Sequence, residues 1–145
     1  MRICDAQPEF SRAVALAGLM TALSAHYARA FDEGRPLPAH PGWMLEENLW
    51  RAIRWGMTGE LIDLDAGAAI PARARIDALV DEVSDIAAEL GIAPYLAPLS
   101  EPSAAEVYGA ELEAGATVEE VWPRAVERTR ESVVEWLSVR EEGTG

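Results

Sequence analysis

The chain contains no lysine; all twelve of its basic residues are arginine. That absence removes a phosphate-loop lysine, a Schiff-base lysine and any other chemistry that needs an amine able to shed its proton. Positive charge is scarce in general. Twenty-five acidic residues against twelve arginines leave a formal charge of −13, which repels nucleic acid and anionic membrane surfaces. A single cysteine, Cys4, excludes an internal disulfide and suits a reducing, cytoplasmic setting. The two histidines, His26 and His40, stand apart and lack metal-ligand spacing. Long apolar runs are missing too. The longest, Ala13 to Ala25, is diluted by Thr21 and Ser24 and falls short of the roughly 20 residues that a membrane span needs. Asp5 and Glu9 interrupt the region where a signal peptide would carry its apolar stretch. No repeat or low-complexity tract is present.

What is present suits one domain: 145 residues, half of them apolar. The expected organisation is mainly α, with a short N-terminal strand and a small β-hairpin. Residues 1–5 read as the strand. Pro8 suits a first helical turn, and a helix is expected over 8–33. There Leu16, Leu19, Met20, Leu23, Tyr27, Ala30 and Phe31 share one face, and Gly34 ends it. Three prolines make 35–42 an extended linker. A second helix is expected over 43–57, with Leu45, Leu49, Trp50, Ile53 and Met57 on a broad apolar arc. Glu47, Arg51 and Arg54 fall on the remaining arc, with Asn48 and Trp55 at its edge. Asp65-Ala66-Gly67 is a turn signal inside a hairpin at 60–72. The helix expected over 72–90 carries the stripe Ile76, Leu79, Val80, Val83, Ile86, Ala87, Leu90, and Gly91 stops it. Two further helices are expected within 99–140, one from Ser103 to Glu113 and one from Val118 to about Arg140, begun by Thr117 or Ala116. The last residues read as a frayed tail.

The candidate functional residues cluster on the second helix. Arg54 carries a permanent charge and can clamp a phosphate or carboxylate through two parallel hydrogen bonds; the plainer reading is an ion pair with Glu47 or a solvated side chain. The amide of Asn48 can read a ligand edge or cap a backbone group. Arg51 is placed to pair with Glu47 four residues earlier. On the N-terminal strand, Arg2 and Cys4 would face one way and Asp5 the other. Arg2 is a candidate anion contact, Cys4 a small core residue, and Asp5 a possible helix cap. Asp63 and Asp65 hint at a cation, but a turn explains them more simply.

Several of these segments together resemble a known family. Arg2-Ile3-Cys4-Asp5, the long Ala/Leu helix, Glu47-Asn48-Leu49-Trp50-Arg51-Ala52-Ile53-Arg54-Trp55-Gly56, Leu61-Ile62-Asp63 and Ile70-Pro71-Ala72-Arg73 occur in this order. They are similar to the C-terminal part of the bacterial carboxylate-amine ligases related to glutamate-cysteine ligase, the YbdK-like type. The family pattern there is a strand ending in (I/V)-R-x-C-D, a helix, E-N-x-(W/F)-x-A-x-R-(Y/W/F)-G, a Leu-Ile-Asp hairpin and a helix opening with V-P-A-R. The resemblance covers roughly Arg2 to Leu90.

The resemblance implies the C-terminal portion of an α+β, glutamine-synthetase-like ligase fold. It implies an ATP- and Mg2+-dependent ligase that joins a carboxylate to an amine through an acyl phosphate, acting on small amino-acid-like substrates. Arg54, Asn48, Arg2 and Arg51 become its candidate substrate or nucleotide contacts. The family's acidic G-x-E-x-E-type strand, to which the resemblance assigns magnesium and nucleotide binding, has no counterpart in these residues. Three readings follow: a truncated product, one subunit of a split enzyme, or a repurposed helical interaction module. The first two predict no activity alone and a partner, either an N-terminal ligase part on another polypeptide or a second copy. A departure at Pro102 to Tyr108, where the family's G-x-G-A-x-R-Q-R-like stretch has lost its basic residues, points to a degenerate or specialised member of the family.

Overall fold

The structure, a computed structural model, describes residues 7–142. The strand expected over 1–5, with Arg2, Cys4 and Asp5, lies outside the described residues. The chain is mainly helical, as expected. Its elements run α1 (Phe10–Asp32), α2 (Gly42–Trp55), a 3-10 turn (Gly56–Thr58), β1 (Glu60–Ile62), β2 (Ala69–Pro71), α3 (Ala72–Glu82) and α4 (Ser84–Glu89). Two more 3-10 turns (Ala93–Tyr95 and Ala97–Ser100), α5 (Ala104–Glu113) and α6 (Val118–Glu142) complete it.

The core forms where α1 meets the α3–α4 unit and the two 3-10 turns. Ala15, Leu19 and Ala22 of α1 pack with Val83, Ile86, Ala87, Leu96 and Leu99. Small residues on α1 let the chain approach closely. A Cβ at Gly18 would sit 3.2 Å from a Leu96 methyl. The stripe expected on residues 72–90 is real, but the helix is not continuous. It breaks at Val83 (φ −101°, ψ 6°), which is fully buried at the junction. The break turns Ile86 and Ala87 onto α1 and leaves Leu90 half-exposed. Phe31, expected on the inner face of α1, is exposed because the neighbouring Ala30, 3% exposed, takes the inward position and Phe31 falls about 100° further round the helix.

The hairpin forms where expected. β1 and β2 pair antiparallel, with Glu60 opposite Pro71 and Ile62 opposite Ala69. Asp63 Oδ1 accepts from the backbone N–H groups of Asp65 and Ala66. Those two bonds hold the Asp63 carboxyl below its usual range, and they confirm the turn reading of this acidic pair. The helix expected over 43–57 ends sooner, at Trp55, because Gly56 adopts φ 56° and turns the chain. The following turn is tight: a Cβ at Gly59 would fall 2.5 Å from Trp55 Cβ.

At the C-terminal end, Ser103 and Glu106 form a capping box that starts α5. Thr117 begins α6, with the Glu120 carboxylate accepting from its backbone N–H. The helix runs to Glu142, slightly beyond the expected end. α6 is latched to the start of α1: Phe10 N–H donates to Ser132 Oγ at 2.9 Å, and Phe10 meets Trp136 edge-on. No helix of the described residues is long and apolar enough to cross a membrane.

Candidate functional site

An open cleft of about 890 Å3 lies between α2, with its following turn, and α5. Leu49, Ile53, Trp55 and Met57 form one wall, and Ala105, Gly109 and Ala110 the other. Arg54 stands on this cleft, with Glu106 and Glu113 across it. Arg54 makes no hydrogen bond or ion pair with the described residues. The alternative partner, Glu47, is taken: its carboxylate receives Arg51 Nε at 2.8 Å. Gly56 ends α2 just after Arg54, so the guanidinium sits in the last helical turn, where the helix dipole favours a cation. Arg54 is exposed, and its guanidinium leaves its hydrogen-bonding capacity unspent among the described residues.

The other candidates on α2 are committed locally. Asn48 Nδ2 donates to the Ile62 carbonyl at 2.8 Å, while Ile62 N–H donates to Asn48 Oδ1 at 2.7 Å. The side chain therefore substitutes for a third strand at the open edge of β1. Its place is to pin the hairpin under α2, the backbone-capping role of the two weighed from the sequence. Arg51 pairs with Glu47 as its spacing implied and also lies 5.9 Å from the centre of the Trp55 ring. Arg2 lies outside the described residues.

Two arginines not singled out as site residues from the sequence brace the segment that leads into the far wall. Arg12, on the inner face of α1 and only 6% exposed, donates to the carbonyls of Glu101 and Pro102. Arg73, at the start of α3, donates to the Ser100 and Glu101 carbonyls and reaches Glu106 Oε1 at 2.7 Å. Both clamp the segment that enters α5. A signal for Arg12 existed: it lies seven residues before Leu19, on the apolar stripe, where an arginine must find partners if buried. Burial pushes the Glu106 carboxyl up, but hydrogen bonds from Ser103 and Arg73 outweigh it and hold the group below its usual range. The segment that departs from the family pattern is therefore a capped helix wall.

The histidines serve structure. His26 Nε2 lies 3.7 Å from Glu82 Oε1 and meets Tyr27 edge-on, and His40 Nε2 lies 3.9 Å from Asp65. Burial, then the Glu82 charge, raises the Tyr27 hydroxyl above its ordinary value. Among the described residues no three His, Cys, Asp or Glu side chains gather as a metal site.

The apolar arc of α2, which includes the cleft-wall residues Leu49 and Ile53, is unusual. The helix buries none of its residues. Trp43 and Ile53 are 65% and 77% exposed, and Leu45, Leu49 and Trp50 about half. The apolar arc expected from the periodicity is present but uncovered. Such a face in water is the mark of an interaction surface.

Comparison with known proteins places these features. The sequence model described as "Glutamate-cysteine ligase family 2(GCS2)" matches residues 1–119. Three similar sequences share the name "Putative glutamate--cysteine ligase 2" or a numbered variant of it. The one from Gloeobacter violaceus is 40% identical over 100 residues, covering 68% of this chain and 27% of the relative. The one from Roseiflexus sp. (strain RS-1) is 39% identical over 90 residues, 62% of this chain and 24% of the relative. The one from Frankia alni is 40% identical over 83 residues, 57% of this chain and 22% of the relative. The chain thus spans about a quarter of the length of the curated relatives it matches. No solved structure matches.

Proposed function

Because the chain belongs to glutamate-cysteine ligase family 2, we propose that it forms the C-terminal part of an ATP-dependent carboxylate-amine ligase of α+β, glutamine-synthetase-like fold. In this reading a carboxylate takes a phosphoryl group from ATP. An amine then attacks the acyl carbon, and phosphate leaves with the electron pair of the broken C–O bond. Both stages present anions to the protein, and positioning plus charge neutralisation supply most of the catalysis. The chain's contribution is Arg54, with Arg2 and Arg51 as further candidates for anion contact. Asn48 acts as a positioning residue that fixes the hairpin beneath α2. Mg2+ would be held by residues of the rest of the ligase, since the described residues gather no metal-binding cluster.

The observation that carries this reading is the guanidinium of Arg54, unpaired among the described residues, on a cleft wall within the family-matched segment. The uncovered face of α2 supports it further, because the N-terminal ligase part is the natural cover for a helix that buries nothing alone. The chain by itself is proposed to be inactive and to work in the cytoplasm with that partner on small amino-acid-like substrates.

The test is reconstitution with the N-terminal portion of a family ligase, followed by ATP-dependent amide formation. Arg54→Ala should then lower kcat/KM by roughly 10- to 100-fold, the worth of a charged hydrogen bond. An unchanged kcat/KM removes Arg54 from the site. A second reading, a non-catalytic helical interaction module, is favoured by the acidic, capped helix at Ser103–Glu113. It predicts a stable complex with the N-terminal portion and no amide formation.

A further inference from the structure

The long helix α6 lies beyond the family match except for its first two residues, and one of its faces is unaccounted for. Its inner face is fixed by Val121 and Ser132, both buried, and by the ion pair between Arg128 and Glu9 at 3.1 Å. A second face carries Val118, Trp122, Val126, Thr129, Val133 and Leu137. These recur at steps of four, four, three, four and four residues, which keeps them on one strip of helix surface. Val118 is 61% and Trp122 68% exposed, and Val126 and Leu137 are also open.

Charge marks one edge of that strip. At 100° per residue Glu119 and Arg130 fall on the same side of it. Glu119 has no partner among the described residues. Arg130 has only an exposed contact of 3.5 Å to Glu127. In an antiparallel helix pair, like edges face each other. A two-fold axis midway between Glu119 and Arg130 then sets Glu119 of each copy opposite Arg130 of the other. In this same register Trp122 falls between Val126 and Thr129 of the second copy, and Val118 falls between Thr129 and Val133. One register thus brings the Val118, Trp122, Val126 and Thr129 part of the strip and the flanking charges together, as a self-complementary two-fold interface requires, while Leu137 lies beyond the overlap of the two helices. We propose that this face of α6 docks antiparallel on α6 of a second copy of the chain, forming a homodimer independent of the ligase cleft.

Sedimentation equilibrium of the full chain tests the proposal. The wild type should be a dimer at micromolar concentration. Trp122→Glu should weaken dimerisation by at least roughly 30-fold, as for a central tryptophan at an interface. Glu119→Arg and Arg130→Glu should each weaken it by roughly 3- to 10-fold, since each change acts at two symmetric exposed pairs. Mixing these two variants should restore wild-type affinity, because the heterodimer regains both pairs in trans; a contact within one chain cannot be rescued by mixing. A wild type that stays monomeric at high concentration overturns the proposal. So does a Trp122→Glu dimer of unchanged affinity, a mixture that shows no rescue, or a dimer dispersed by Ile53→Glu on α2 and not by Trp122→Glu. None of these outcomes depends on ligase activity.

Discussion

Arg54 and Asn48 lie six residues apart on one helix and use their polar groups in opposite ways. Asn48 spends its amide on both backbone groups of Ile62. Arg54 spends nothing within the described residues. The difference predicts opposite mutational signatures. Asn48→Ala leaves two half-buried backbone groups without partners and should destabilise the chain by about 1–3 kcal/mol, read from the urea midpoint at constant slope. Arg54→Ala removes no internal bond and should shift stability by no more than about 0.5 kcal/mol in the same measurement. A large loss for Arg54→Ala would mean that it holds the fold, not a ligand. The sequence showed the residue types but not this division. A carboxamide among large apolar side chains must be satisfied, yet which backbone group satisfies it depends on the fold bringing β1 beneath α2. Arg12 shows the same thing: its place on the apolar stripe was visible, but its partners, Glu101 and Pro102, lie about 90 residues away.

At the scale of elements, local chemistry decided most of what was legible. Periodicity located α1 and the stripe over 72–90, Asp65-Ala66-Gly67 located the hairpin, and Thr117, one of two candidates, located the start of α6. The break at Val83 was not legible, because the apolar spacing continues straight through it. The exposure of α2 was not legible either. Periodicity reports which face is apolar, whereas burial depends on what stands opposite. α5 offers a test of its own. Ser103→Ala removes the hydroxyl that accepts from Glu106 N–H and should cost about 1 kcal/mol. The Glu106 carboxyl has a folded pKa below its ordinary value near 4.5. Its contribution is therefore fully present above that value and is lost as pH falls through the lower, folded one. The urea midpoint should fall as the pH drops below about 4.5. Glu106→Gln, which retains a capping side chain, should flatten that part of the fall. An unchanged pH profile in Glu106→Gln would show that Arg73 and Ser103 stabilise the wall without help from the charge.

The whole molecule has a small aliphatic core around Val83 and a large uncovered surface on α2. It belongs to a family of longer relatives, of which the matched stretch covers about a quarter, and the share it matches carries the E-N-x-W-x-A-x-R-W-G segment. These features support the proposal that α2 presents Arg54 at a boundary that another part of a ligase completes. The absence of lysine and the charge of −13 oppose ATP binding by this chain alone. The most direct measurement is ADP release with glutamate and mixed amines, made on the purified chain and on the chain co-expressed with the N-terminal portion of a family ligase. The account predicts no ATP turnover above background for the chain alone, and amine-dependent turnover when the N-terminal portion is present. ATP turnover by the purified chain alone would contradict it.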